Sequence, residues 1–354
     1  MPLKIHLIRT RYPHWGAHSG INQFVKYLDP DRFHARERLA SDSDEDFPLR
    51  HPKLRARLRA AVQSRGMPWY KLSDLAAELD ALRRSWTGRI DLIHYLDGEH
   101  SAQYLPRFRR RRLLRAKLIG SYHQPPEVLD TLVNRSIVSQ LDFATVVSPV
   151  QLPYFRDLLG EERVRLILHG IDVDFFRPAA APRVAGKFRC ITVGHYLRDY
   201  RALGETARKL EGTREIEFHV VSSQAAALVG RPNVTIHRGI DDDALLKIYQ
   251  QSDVLFIPLL QSTCNNAILE AIACGLPVIS TALPSVQAYL PGGEAVLLKE
   301  NDPDLLSDAV LRLAHHPEER RRMGNAARRR AEELDWRRIA PEFAAIYSSL
   351  AGSR

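Results

Sequence analysis

The stretch QSTCNNAILEAIACGLPVIS, from Gln261 to Ser280, sets a carboxylate inside what reads as a short apolar helix. Leu269, Ile272 and Ala273 fall at helical spacing, and Glu270 stands among them with no basic residue within a helical turn. A charge beside a core is costly unless hydrogen bonds compensate it. The helix follows a strand, DVLFIPLL, through the loop QSTCNN. Its first amides, around Cys264 to Ala267, lack intrahelical partners, and with the helix dipole they make an anion site suited to a diphosphate. Glu270 lies about four residues further on, roughly 6 Å at a rise of about 1.5 Å per residue. That is about the reach from a nucleotide's phosphates to its ribose hydroxyls. Spacing alone leaves two readings: a carboxylate clasping vicinal hydroxyls, or a partly exposed helix residue.

Elements that could position such a group recur along the chain. KIHLIR, RFHARERLAS, DLIHYL, KLIGSYH, DFATVVS and VRLILHG read as strands, with a Gly-bearing loop (WGAHSG) and the helix INQFVKYLD after the first. SDLAAELDALRRSW reads as a helix capped by Ser73. The rhythm breaks at residues 172–187, DVDFFRPAAAPRVAGK, which predicts an interdomain linker. It restarts with FRCITVG, EIEFHVVSS, NVTIHRG, DVLFIPLL, LPVIST and EAVLL as strands, and with DDDALLKIYQQS and NNAILEAIAC as helices between them. The end is a charged helix, PEERRRMGNAARRRAEEL, followed by an amphipathic one, WRRIAPEFAAIYSSL. Alternating strands and helices predict an α/β fold of two successive doubly wound, Rossmann-like halves, with the ligand in the cleft between them.

The bulk numbers agree. A chain of 354 residues suits two domains, and 45% hydrophobic with 26% charged residues is a normal globular balance. The start, MPLKIHLIRTRYP, reads directly as a strand and lacks the apolar run of a signal peptide. Three cysteines, Cys190, Cys264 and Cys274, have no metal-type spacing, and a cytoplasmic protein is expected. The formal charge of +9 is uneven: PRFRRRRLLRAK carries seven basic residues between Arg107 and Lys117. HPKLRARLRAAVQSR puts Leu54, Leu58, Ala61 and Val62 on one helical face and arginines on the others. Each run is first read as a solvated helix face; together they raise peripheral attraction to an anionic membrane. Nucleic acid is not expected, because aromatics do not interleave with the charges.

NNAILEAIACGLPVIST resembles the signature of glycosyltransferase family 4, retaining enzymes of the GT-B fold. HGIDVDFFRP, FRCITVGHYLRDYRAL, IHRGIDDDALLKIYQQSDVLFIPLL, ATVVSP and DWRRIAPEFAAIY resemble further family passages in the same order. The resemblance implies an N-terminal, acceptor-side Rossmann-like domain over residues 1–170 and a nucleotide-sugar-binding one over 171–335. A C-terminal helix over 336–354 would pack back on the first domain.

It also implies site residues. Glu270 would hold the ribose hydroxyls, and the backbone at Asn265 and Asn266 the diphosphate. Arg198 matches the family's phosphate-neutralising lysine, with Arg201 as a neighbour, and follows Val193-Gly194. A guanidinium suits a diphosphate at least as well as an ammonium does. His195 stands where the family's usual arginine would be. Ser262 replaces the first family glutamate, which leaves the donor sugar open, and Thr263-Cys264-Asn265-Asn266 replaces the usual Gly-Phe-Gly. Gly20, in GAHSGINQFV, matches the glycine-rich loop at the transfer centre, with a positive-φ turn glycine as the alternative. His123, in KLIGSYHQPP, matches the histidine that touches the donor sugar. His94 reads as a satisfied core histidine. Asp97 and Glu99 read either as acceptor-facing groups or as solvated loop carboxylates.

The expected reaction moves a sugar from a nucleoside diphosphate to an acceptor hydroxyl with retention. The acceptor could be a polysaccharide, a lipid-linked sugar or a small molecule, and no cofactor or metal is expected. Asp172-Val173-Asp174 looks like a metal-binding Asp-x-Asp but falls in the predicted linker, and Asp241-Asp242-Asp243 reads as a helix N-terminus. Two alternatives stand beside this: a nucleotide-sugar 2-epimerase of the same fold, and a non-catalytic basic protein docking on membranes.

Overall fold

The twelve segments that read as strands fall in two parallel six-stranded sheets. The computed structural model describes residues 2–11, 16–63, 67–110, 114–181, 186–213 and 215–352. They fall into two compact units. One holds the chain up to His169, apart from Gly16–Gly20, and the residues from Arg337 on; the other holds Gly16–Gly20 and Gly170–Trp336.

In the first unit the strands are β1 (Leu3–Arg11), β2 (Phe33–Ser41), β3 (Leu92–Tyr95), β4 (Lys117–Tyr122), β5 (Phe143–Val146) and β6 (Val164–Leu166). Their order is β2-β1-β3-β4-β5-β6, so the winding reverses between β1 and β3. β3 is buried along its whole length, as a strand covered on both faces must be. Ile93, Leu118, Ala144 and Val146 lie in its apolar core. The helix Trp336–Gly352 serves this unit from Arg337 onward: Phe343 stacks on Phe24 at 4.2 Å, and the Tyr347 hydroxyl lies 2.7 Å from His94 Nδ1.

The second unit repeats the plan with β7 (Phe188–Val193), β8 (Ile216–Val221), β9 (Val234–His237), β10 (Val254–Ile257), β11 (Val278–Thr281) and β12 (Ala295–Leu298). The order is β12-β11-β10-β7-β8-β9, and the winding reverses between β10 and β7. Phe188, Phe218, Val254 and Phe256 belong to its core. Loops leaving the C-terminal ends of β7 and β10 therefore emerge side by side, where ligands of doubly wound sheets bind.

Several local expectations need correction. Ser73 does not cap its helix, which runs Leu72–Trp86; Ser73 lies inside it, and Asp74 bonds back to the Lys71 amide. INQFVKY winds as a 3-10 helix, Ile21–Tyr27. On the basic helix Pro52–Gln63 only Val62 is buried, and Leu54 is exposed, so the proposed apolar face is half solvent. The predicted linker is structured at its start: Val173 and Phe176 are buried, and Arg328 donates to both their carbonyls. Its residues 182–185 lie outside the described residues, as do 111–113 of the second basic run. No helix among the described residues is long and apolar enough to cross a membrane.

Candidate functional site

The loop after β7 turns on two left-handed residues, Gly194 at φ +80° and Leu197 at +60°. The turn sends Arg198 across to the loop after β10. Asp199 N donates to Pro258 O and Leu260 N to Leu197 O, both at 2.9 Å, and Arg198 bridges Leu259. The Arg198 guanidinium is then held at three points: Val193 O, Tyr196 O and, at 3.1 Å, Asn265 Oδ1. The positive φ of Gly194 favours glycine, and a Cβ there would come within 3.1 Å of that guanidinium and press on it.

Asn265 is the N-cap of the helix Asn266–Ala273, and its side chain accepts from Ala267 N at 3.1 Å. That corrects one expectation: the Ala267 amide is already capped and is not free for an anion. Asn266 and Ser262 are half-buried, and Thr263 and Asn265 are buried. Arg201 lies on the exposed side of the Tyr200–Lys209 helix and pairs with Glu205 one turn on. His195 is exposed in the same loop as Arg198.

Glu270 is 5% exposed, which removes the reading of a partly exposed helix residue. Its oxygens accept from two hydroxyls: Ser19 to Oε1 at 2.6 Å and Tyr249 to Oε2 at 2.9 Å. Burial lifts the carboxyl to about 7, against the pull of those two hydroxyls. The contrast with Glu78 is instructive. Glu78, equally buried, accepts from Tyr70, Tyr95 and the amides of Gln103, Tyr104 and Leu105, a saturated structural carboxylate. A carboxylate has about four acceptor positions. Two donors leave Glu270 with capacity for about two more.

The segment Gly16–Gly20 brings Ser19 there. Ala17 N donates to Asp242 Oδ2 at 2.7 Å, and His18 stacks on Phe175 at 3.6 Å with its Nδ1 3.0 Å from Asp172 Oδ2. Gly16 has no room for a Cβ against Asp242, and Gly20 takes φ +111°, the turn-glycine alternative. Asp172 Oδ1 accepts from the amides of Asp174 and Phe175, so this Asp-x-Asp is a turn built around one carboxylate. Asp241 caps the helix Asp242–Gln250 through Ala244 N. Among the described residues no cluster of three or more His, Cys, Asp or Glu could hold a metal.

In the first unit, His123 follows β4 and its amide donates to Glu99 Oε1 at 3.0 Å; its Nδ1 stands 3.7 Å from the same oxygen. Burial works against the His123 proton, but Glu99 and Asp97 outweigh it and raise the imidazole above its ordinary range. Asp97 and Glu99 are both buried, not solvated. Asp97 ties the end of β3 to the end of β1 by accepting from Thr10 N at 3.1 Å, and burial lifts its carboxyl to about 6. His94 is a core histidine, bonded to Tyr347 and Ser121 and pushed down to about 3 by burial. Ser19, Tyr249 and the anchors of His18 were not foreseen, although GAHSG and DDDALLKIYQQS both hold a hydroxyl residue near a turn or helix end.

Two parallel six-stranded sheets with flanking helices define an α/β protein of the GT-B fold. The structure resembles sucrose-phosphate synthase of Thermosynechococcus elongatus, with a TM-score of 0.72 at 19% identity over 99% of this chain and 100% of that one. It also resembles Anabaena HepE in complex with UDP-glucose, with a TM-score of 0.69 at 14% identity over 98% and 100% of the two chains. Within that class, residues 171–316, all in the second unit, match the family model described as Glycosyl transferases group 1. Curated relatives agree. An MMP alpha-(1->4)-mannosyltransferase of Mycolicibacterium hassiacum is 28% identical over 205 residues, 53% of this chain and 49% of that protein. A D-inositol 3-phosphate glycosyltransferase of Saccharomonospora viridis is 25% identical over 217 residues, 52% and 50% of the two. The chain spans about half the length of these curated relatives.

Proposed function

We propose that this chain is a retaining glycosyltransferase that moves a sugar from a nucleoside diphosphate to an acceptor hydroxyl. The observation that carries the reading is Glu270: a buried carboxylate one turn into its helix, with two protein donors and acceptor capacity for about two more. Vicinal ribose hydroxyls fit that remaining capacity. Arg198, fixed against Asn265 at the winding reversal of its sheet, supplies positive charge for the diphosphate. The names of the relatives support sugar transfer, and the UDP-glucose complex of HepE supports a nucleotide-sugar donor.

Breaking the glycosidic bond makes an oxocarbenium-like centre and a diphosphate leaving group. Preorganised charge at the leaving group is then the main catalytic contribution. His123 is the residue the family resemblance assigns to the donor sugar. No metal enters this scheme. The test is a thermal-shift panel of nucleoside diphosphate sugars, followed by product analysis with the stabilising donor. A specific donor at about a hundred times its Kd should stabilise by ~2.7 kcal/mol. Transfer should keep the anomeric configuration and survive EDTA. A panel in which no nucleotide sugar raises the melting temperature would contradict the reading.

A further inference from the structure

The helix Asp242–Gln250 carries a contact at each end. Asp242 accepts the Ala17 amide, and Tyr249 donates to Glu270 Oε2. Seven residues separate them, about two turns, so they share one helical face roughly 10 Å apart. Ser19, two residues beyond Ala17, donates to the other oxygen of the same carboxylate. One rigid helix thus fixes both donors of Glu270. Tyr249 is fully buried, its ring edge-on to Phe176 at 6.2 Å, so its side chain is packed on the way to Glu270.

We propose that Tyr249 is the positioning residue of the nucleotide site: it locks the Glu270 side chain, and its helix, through Asp242 and Ala17, sets where Ser19 meets the same carboxylate. The inference rests on the donor-site reading above and adds how Glu270 is held. A glutamate free to turn must be ordered on binding, and fixing it beforehand removes that cost. A hydroxyl donor also favours the charged form, the form that accepts from ribose hydroxyls. The groups facing Glu270 are Tyr249 and Asp242 from this helix, Ser19 from the loop, Arg198 after β7, and Cys264 and Cys274 at the two ends of its own helix. Burial keeps both thiols protonated. Of these groups, only Ser19 and Tyr249 hydrogen-bond the carboxylate among the described residues.

The test is Tyr249→Phe, which keeps the ring and removes the hydroxyl. Nucleoside diphosphate Kd at pH 7 should rise about tenfold, the scale of one lost hydrogen bond to a charged group. The carboxyl titration of Glu270, followed by carbon NMR, should move to higher pH. A merely structural tyrosine would lower the melting temperature but leave that titration in place, and this result would overturn the proposal. Glu270→Gln in the otherwise unchanged protein separates the two ideas. If it leaves nucleotide affinity unchanged, the donor-site reading fails and the Tyr249 role with it. If it weakens nucleotide binding while Tyr249→Phe does not, the donor site stands and the Tyr249 proposal alone is overturned. A structure of the unaltered protein with uridine or guanosine diphosphate is the second measurement. Tyr249 should still hold Glu270 in that complex, and a Glu270 swung away from Tyr249 would overturn the proposal.

Discussion

Arg198 Nη2 donates to Asn265 Oδ1 at 3.1 Å, joining the loop after β7 to the cap of the Glu270 helix. The cap oxygen also takes the Ala267 amide, so one side chain orders the helix start and a cation at once. Burial lowers the Arg198 pKa, and Tyr249, Tyr200 and Glu270 offset this only in part. Replacing Arg198 by Ala should weaken nucleoside diphosphate binding by about tenfold to a hundredfold, the range for lost bonds to a charged group. Lysine should recover only part, because a point charge cannot span Val193, Tyr196 and Asn265 together. Calorimetric titration of both variants checks this; equal affinity of the alanine variant would remove Arg198 from the site.

Gly194→Ala tests how the arginine is aimed. A side chain at φ +80° costs about 1–2 kcal/mol, and its Cβ would press on the Arg198 guanidinium. The variant should melt lower and bind nucleotide more weakly. A lower melting temperature with unchanged affinity would mean that the turn, not the aim of Arg198, needs glycine.

The Glu270 carboxyl gives a pH signature. Its folded pKa, about 7, lies above the ordinary 4.5, so the folded state binds the extra proton between those values. Stability should therefore fall as pH rises from about 4.5 to about 7, by on the order of 3 kcal/mol at most. Glu270→Gln should flatten this slope. Denaturant unfolding at pH 5 and pH 8 measures it, and equal slopes in both proteins would deny Glu270 a buried, uncompensated charge. Added nucleotide should reduce the slope in the unaltered protein.

His123 and Glu99 shift in opposite directions and so frame a pH window. The imidazole is raised and Glu99 is held below the usual carboxylate range, burial opposing both shifts and the mutual contact winning. The stability this contact contributes is present between the two titrations. It is lost as pH rises through the His123 pKa or falls through that of Glu99. Glu99→Gln should lower the His123 titration in proton NMR. An unmoved His123 resonance would separate the two residues.

The central strands were legible in the sequence because they are nearly continuous apolar runs bounded by turns. The run VLFI of β10, buried throughout, could hardly be anything else. Glu270 was legible as an oddity, a charge in an apolar helix. Its partners were not, since Ser19 lies 251 residues away and such pairings follow from topology rather than local pattern. The Ser73 cap failed because Lys71 and Asp74 close the helix start two residues earlier. For Asp97 and Glu99 the loop sequence leaves acceptor-facing and solvated readings open, because it does not reveal that a neighbouring strand end, Thr10, and a histidine amide will bond them. The linker reading failed at Phe176 for a related reason: Pro and Ala nearby hid a buried aromatic.

The most direct measurement is a double-mutant cycle by calorimetry. It titrates uridine or guanosine diphosphate, whichever binds, and its 2′-deoxy analogue into the unaltered protein and into Glu270→Ala. If Glu270 holds the ribose, the unaltered protein should prefer the ribose form by about tenfold or more, and Glu270→Ala should bind both forms alike. A preference that persists in Glu270→Ala would contradict the account.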